Sequence, residues 1–193
     1  MKGLLWNALE WTFVVLDVLL ITRMYDWLGH RLKSSSRRLT DWEYGLAQSV
    51  FGKSIDLHRV RIDERAYLGS KQYGICYVSF NTINSWGEMS DSLLVHELVH
   101  VWQYQHFGAV YIPRALWAQR TKEGYNYGGV KALSAAIAQG KPFWAFNYEQ
   151  QGDIVADYYR ILMGLPPYWG NGQFNDLPIT FISCNNSSPL ARN

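Results

Sequence analysis

Cysteine is scarce in this chain of 193 residues, with only Cys76 and Cys184, and neither belongs to a CxxC pair. That excludes a disulfide-built scaffold and points to two free thiols in a reducing compartment, with one bridge as the alternative. Charge is scarce as well: 18% of residues are charged, against about 25% in an ordinary globular chain. With 18 basic and 16 acidic side chains the net charge is +2, which excludes a nucleic-acid binder acting through bulk charge. A hydrophobic content of 48% excludes a disordered or collagen-like chain. An uninterrupted membrane-length apolar run is also missing. Gly3 to Thr22 comes nearest but carries Glu10 and Asp17. An aspartate near a helix centre costs about 2.5 to 3.5 kcal/mol on insertion, and a span takes roughly 20 apolar residues. No small-x-small cleavage site follows it, so it does not read as a secretory signal. It is expected to form a helix buried on the core, or alternatively a peripheral membrane helix with Trp6 and Trp11 at the interface and Arg23 and Lys33 beside it.

Aromatic residues, by contrast, are abundant: nine Trp, thirteen Tyr and eight Phe. They serve equally as core, interface or ligand cleft. At this length one sizeable core is expected, burying roughly 70% of the unfolded surface. The chain divides into an apolar helix (1–30), a basic Ser-rich linker (31–39, with RLKSSSRR at its heart), a main domain (40–164) and an irregular tail (165–193). Thr40 and Glu43 make a capping box that opens a helix closed by Gly52. Alternation from Leu57 to Ile62 and the run YGICYVSF at Tyr73 to Phe80 predict two strands. A helix follows from about Asp91 to His106, capped by Ser90 or Asp91 and ended by Gly108. Its apolar residues leave almost no polar face, which marks it as a core helix. A mixed segment comes next, with the loop EGYNYGG (Glu123 to Gly129) and an Ala-rich helix ending near Gly140. The last helix starts at Asn147, where Asn147 and Gln150 form a second capping pair, and stops at Gly164 before Pro166 and Pro167.

Within the core helix lies HELVH, with His96, Glu97 and His100. Histidines at i and i+4 project from one face about a turn apart, so both imidazoles can reach one tetrahedral Zn²⁺. Glu97 lies about 100° round the helix, where it can flank the metal and take a proton from a water molecule held there. With five His the motif arises by chance on the order of once in 200 such chains. The setting strengthens it, because ionisable groups in an apolar helix need partners and a metal supplies them.

Two residues compete as third ligand. His106 stands where the HExxHxxGxxH pattern has its last histidine, but Gln103 replaces the glycine and there is no Met-turn. A continuing helix carries His106 about 240° away from His100. The segment NYEQQGDIVADYYR (Asn147 to Arg160) offers the better candidate, since Glu149, Gly152, Asp153 and Ala156 share one helix face. Small residues allow close helix approach, which suits Glu149 as a ligand and Asp153 as the group that orients a histidine's free N–H.

HELVH followed by EQQGD resembles the gluzincin zinc peptidases, which pair HExxH with a downstream helical ExxxD. LTDWEYGLAQSVFGKSIDLHRVRI, VHELVHVWQYQ and YEQQGDIVADYY together look like the bacterial Vgr-related zinc metallopeptidase-like proteins associated with type VI secretion genes, a likeness running from about Leu39 to Arg160. The resemblance implies an α+β zincin-like fold, with a small sheet packed on the HELVH helix, a helical C-terminal part and an extra N-terminal helix. It implies zinc held by His96, His100 and Glu149, Glu97 as catalytic base and Asp153 behind a ligand. The expected reaction is amide-bond hydrolysis of a protein, a peptide or a peptidoglycan cross-link. Tyr125 and Tyr127 are candidate oxyanion or substrate contacts, the alternative being that they pack the loop. The competing function is a non-catalytic or membrane-peripheral accessory of a secretion system that keeps the zinc site. Partners are thus a peptide substrate, a secretion-system protein or a membrane surface through residues 3–22, and no nucleic acid. The expected starting compartment is the cytoplasm of the producing bacterium, with export that uses no cleaved signal.

Overall fold

A computed structural model describes residues 3–32 and 35–170. Cys184 and the tail from residue 171 onward lie outside the described residues. The architecture is α+β, mostly helical with one small mixed sheet. Helix α4 (Asp91–Phe107) lies at its centre, with Ser90 Oγ accepting the Leu93 N–H at its start and Gly108 in a positive-φ conformation at its end. Ten of its residues are buried, from Leu94 to Tyr104, so the helix is surrounded almost completely. Helix α7 (Tyr148–Leu162) packs antiparallel along it. The Asn147 side chain accepts the N–H groups of Glu149 and Gln150, and Gln150 returns a bond to the Asn147 N–H. Helix α3 (Asp41–Phe51) opens on the reciprocal Thr40–Glu43 box and closes at Gly52, as its sequence predicts.

The sheet runs in the order β1 (Ser36–Arg37), β2 (Arg61–Asp63), β4 (Thr82–Asn84), β3 (Tyr77–Ser79). Strands β2 and β4 are parallel, and the outer pairs are antiparallel. Ile62 and Ile83, both fully buried, join the core that Val95, Leu98 and Val99 of α4 complete.

The structure departs from the sequence reading in five places. The strand expected over Leu57 to Ile62 is a 3-10 turn (Leu57–Arg59) capped by Asp56, with β2 beginning only at Arg61. The strand expected over Tyr73 to Phe80 shrinks to β3, because a π-helical turn at Tyr67–Lys71 and Gly74 at φ +63° occupy the approach to it. Strand β4 was not expected at all. It follows a two-residue turn in which Phe80 takes φ +61°. That conformation is unfavourable for a bulky residue, and it is held by the Phe80 ring on Tyr25 and Tyr104 and by Asn81 bonded to Asp26 and Gln105.

The stretch read as a basic linker supplies β1, and Arg37 bonds both Glu43 and Glu64, so it is part of the sheet. The N-terminal helix is a pair, α1 (Leu4–Val18) and α2 (Ile21–Leu32), bent by 70°. Leu20 at φ +58° lies in the break, and α1 contains no buried residue, which corrects the expectation of a core helix. Two further helices, α5 (Tyr111–Gln119) and α6 (Gly129–Ala138), fill the segment between the motif halves. Pro113 is tolerated in the first turn of α5, where its missing N–H has no helical partner to lose.

Removing either cap tests this account of the helix starts. Thr40→Ala and Asn147→Ala are each expected to lower stability by about 1 kcal/mol, read as a shifted urea midpoint with an unchanged slope.

Candidate metal centre

Three rungs hold α4 and α7 together. Tyr159 donates its hydroxyl to Asp91 at one end, Asp153 meets His96 in the middle, and Gln103 donates to the Tyr148 carbonyl at the other end. The middle rung requires Gly152. A Cβ built there falls 2.5 Å from His96 Cε1 and 2.8 Å from its Nε2. The imidazole therefore lies flat on the α7 backbone, and Glu149, one turn earlier, reaches the same point in space.

His96, His100 and Glu149 are all buried, and each offers one ligand atom within 4.8 Å of the other two, so the group could bind a metal ion. His96 Nε2 lies 3.3 Å and His100 Nε2 3.4 Å from Glu149 Oε2. The remaining polar atom of each residue is already engaged. His96 Nδ1 is 2.7 Å from Asp153 Oδ1, and His100 Nδ1 is 2.8 Å from Gln103 Oε1. Glu149 Oε1 accepts from Gln119 Nε2 at 2.9 Å. Asp153 is itself fixed by the Trp169 indole N–H. With Nδ1 of each histidine donating, both Nε2 atoms carry lone pairs toward the common point, which is the tautomer a metal requires. This donor set, two imidazoles and a carboxylate, suits zinc.

Electrostatics agree with the geometry. Burial penalises the charged form of His96, but Asp153 and Glu149 outweigh it and hold the imidazole pKa up to about 10. His100 is raised despite burial by the charge and hydrogen bond of Glu149. Burial raises Glu149, yet the two histidines overcome it and hold its carboxyl far below the usual range.

Glu97 is different. It is 4% exposed, and among the described residues its Oε2 has no hydrogen-bond partner. Burial dominates and raises its pKa, and His96, His100 and the neighbouring Cys76 thiol counter that. The Cys76 thiol also contacts Met89 Sδ, and burial pushes its own pKa up.

A cavity of about 960 Å³ opens over these groups. Gly74 to Ser79 form one wall, so β3, the last strand in the sheet order, runs along it. Ile112 and Leu116 of α5 form another, with Tyr125 and Trp169 at the rim.

The structure brings together His96, Glu97, His100, Glu149 and Asp153. Tyr125 also lines the cavity, its ring 5.9 Å from that of His96, on a loop pinned by Asn147 and Gln150 side chains bonded to Gly124 and Asn126 carbonyls. Tyr127 lies elsewhere: its buried hydroxyl donates to Asp157 Oδ2, which also takes the Trp169 N–H. His106 is exposed, with Nδ1 on the Trp102 carbonyl and its ring against Trp102. Sequence reasoning missed Gln103, Gln119 and Trp169, while Tyr111, in the segment between the motif halves that the sequence offers as a substrate cleft, does line the cavity. Tyr111 stacks on His100 and donates to the Val78 carbonyl. Only Gln103 left a legible signal, its i+3 spacing from His100.

Gly152→Ala is expected to displace the His96 ring and lower metal affinity at least about tenfold, with the helix content unchanged; isothermal titration with zinc checks it. Metal uptake must displace the proton that His96 holds below its raised pKa. Affinity should therefore climb as pH rises toward the raised His96 pKa of about 10, with proton release on binding, measured by titration in buffers of different ionisation enthalpy.

The chain is 31% identical over 149 residues to the type VI secretion system spike protein VgrG2b of Pseudomonas aeruginosa. That match spans 68% of this chain and 14% of the length of VgrG2b. Among solved structures, the effector domain of Pseudomonas aeruginosa VgrG2b aligns at 27% identity with a TM-score of 0.46, covering 75% of this chain and 87% of that one. No family model matches the chain.

Proposed function

We propose that this chain is a zinc-dependent amide hydrolase of the peptidase type, with a zincin-like arrangement of its metal helix and sheet. The observation that carries the reading is the convergence of His96 Nε2, His100 Nε2 and Glu149 Oε2, each aimed by a second bond, beside the unpaired Glu97 oxygen under a peptide-sized cavity. Zinc held there supplies a Lewis acid and brings the pKa of bound water toward neutrality. The chain's own residues supply the rest. Glu97 takes a proton from the attacking water and returns it to the leaving amine, a cycle suited to a carboxyl whose pKa burial has raised. Asp153, Gln103 and Gln119 keep the ligands from turning. The Tyr125 ring, 5.9 Å from that of His96, makes its hydroxyl the candidate to bond a developing oxyanion. The apolar walls from Ile112 and Leu116 exclude water and favour substrates with apolar side chains near the scissile bond.

The 31% identity to a VgrG2b segment supports a further reading, that the chain acts as an effector of a type VI secretion system and meets a component of that apparatus. Its polypeptide substrate is then a molecule of the cell that receives it.

Two comparisons test the proposal. Glu97→Gln should retain one zinc per chain while hydrolysis of a mixed peptide pool, followed by mass spectrometry, falls by about 10²- to 10⁴-fold. Equal cleavage by both proteins would remove Glu97 from the reaction. Glu149→Ala should weaken zinc binding far more than His106→Ala, and the reverse order would place the third ligand at His106.

A further inference from the structure

Helices α1 and α2 present an inverted polarity. Their acids turn toward the body: Glu10 accepts from Arg114, Asp17 accepts the Ala109 N–H and the Thr22 hydroxyl, and Asp26 accepts from Asn81. Trp6 is likewise held against Trp117. The opposite side is apolar and exposed, with Leu5 79%, Trp11 70%, Val18 75%, Leu19 62% and Met24 63% exposed. Surface helices of soluble proteins place these classes of residue the other way round. A monomer's surface rarely keeps so continuous an apolar strip without a use.

The charge at the rim selects what meets this strip. Among exposed residues from Gly3 to Leu28 the one charged side chain is Arg23, and no acid is exposed there. A second copy of the chain would bring the same positive sign to the contact. A lipid surface offers an apolar interior beneath negative headgroups, and exposed Trp side chains favour that boundary. Orientation follows from the tethers. The two helices together have the length and apolar content of a span, although no single described helix does, and they are bent by 70°. Asp17 ties that bend to Ala109 at the end of α4, so the pair lies flat against the body with its apolar side outward.

We infer that the outer face of the α1–α2 pair is a docking surface for an anionic lipid bilayer, entered in the plane of the interface. It is independent of the metal centre and of the reaction proposed for it.

Flotation of the full zinc-loaded chain tests this. The chain should float with vesicles of phosphatidylethanolamine and phosphatidylglycerol and bind phosphatidylcholine vesicles weakly. The triple variant Trp11→Ser, Val18→Ser, Leu19→Ser should lose at least about tenfold in lipid partition and keep its zinc stoichiometry. Arg23→Glu, which alters no packed residue, should weaken binding to the anionic vesicles alone, and added salt should do the same to the parent chain. Absence of flotation at millimolar lipid would overturn the inference. So would a dimer in light scattering that the triple variant dissolves, since the occupant would then be a second copy. Flotation of a chain ending at Gly170, where the full chain does not float, would assign the face to residues 171–193.

Discussion

The close approach of α7 to α4 at Gly152 is the constraint on which the rest of the site depends. Any side chain at this position would enter the His96 ring, and the helices would separate by more than the metal geometry tolerates. Because they do approach, Glu149 enters the space between two imidazoles, and a buried cluster of two bases and an acid results. Such a cluster is costly to bury, since desolvation works against every member. The structure accepts that cost at the centre of its longest helix, where hydrophobic packing would otherwise be simplest. A divalent ion bound there would offset it by satisfying three ligand atoms at once.

The side chains around this point divide into two kinds. His96, His100 and Glu149 are over-determined: each has a second atom fixed by Asp153, Gln103 or Gln119, and those partners come from α7, α4 and α5. Fixed ligands hold tautomer and orientation through changes of charge. Glu97, their neighbour in sequence, has been left with an unpaired oxygen and a raised pKa. A carboxyl in that state can exchange a proton without breaking a structural bond. The contrast between three fixed side chains and one with an unpaired oxygen is the physical basis on which the proposed function gives them different roles.

Much of this was legible in the sequence because helices announce themselves over many residues. The two capping boxes, the apolar girdle of α4, the HELVH spacing and the small-residue face of α7 all survive in the structure. The sheet was less legible because its strands are two or three residues long, too short for period-two alternation to register. Strand β4 depends on Phe80 at positive φ, which the sequence gives no reason to expect, since rings from α2 and α4 enforce it. The N-terminal pair misled for a different reason. Apolar content signals burial only if the apolar side faces inward, and here three acids occupy that side instead.

The 48 residues between His100 and Glu149 contain α5, which serves both the scaffold and the cavity wall. Arg114 holds Glu10 of α1 and the Tyr148 hydroxyl, and Trp117 packs on Trp6. Two residues further on, Gln119 holds Glu149. Ile112 and Leu116 face the cavity from the same nine-residue helix. One nine-residue helix thus contacts both the surface helix α1 and the Glu149 carboxylate.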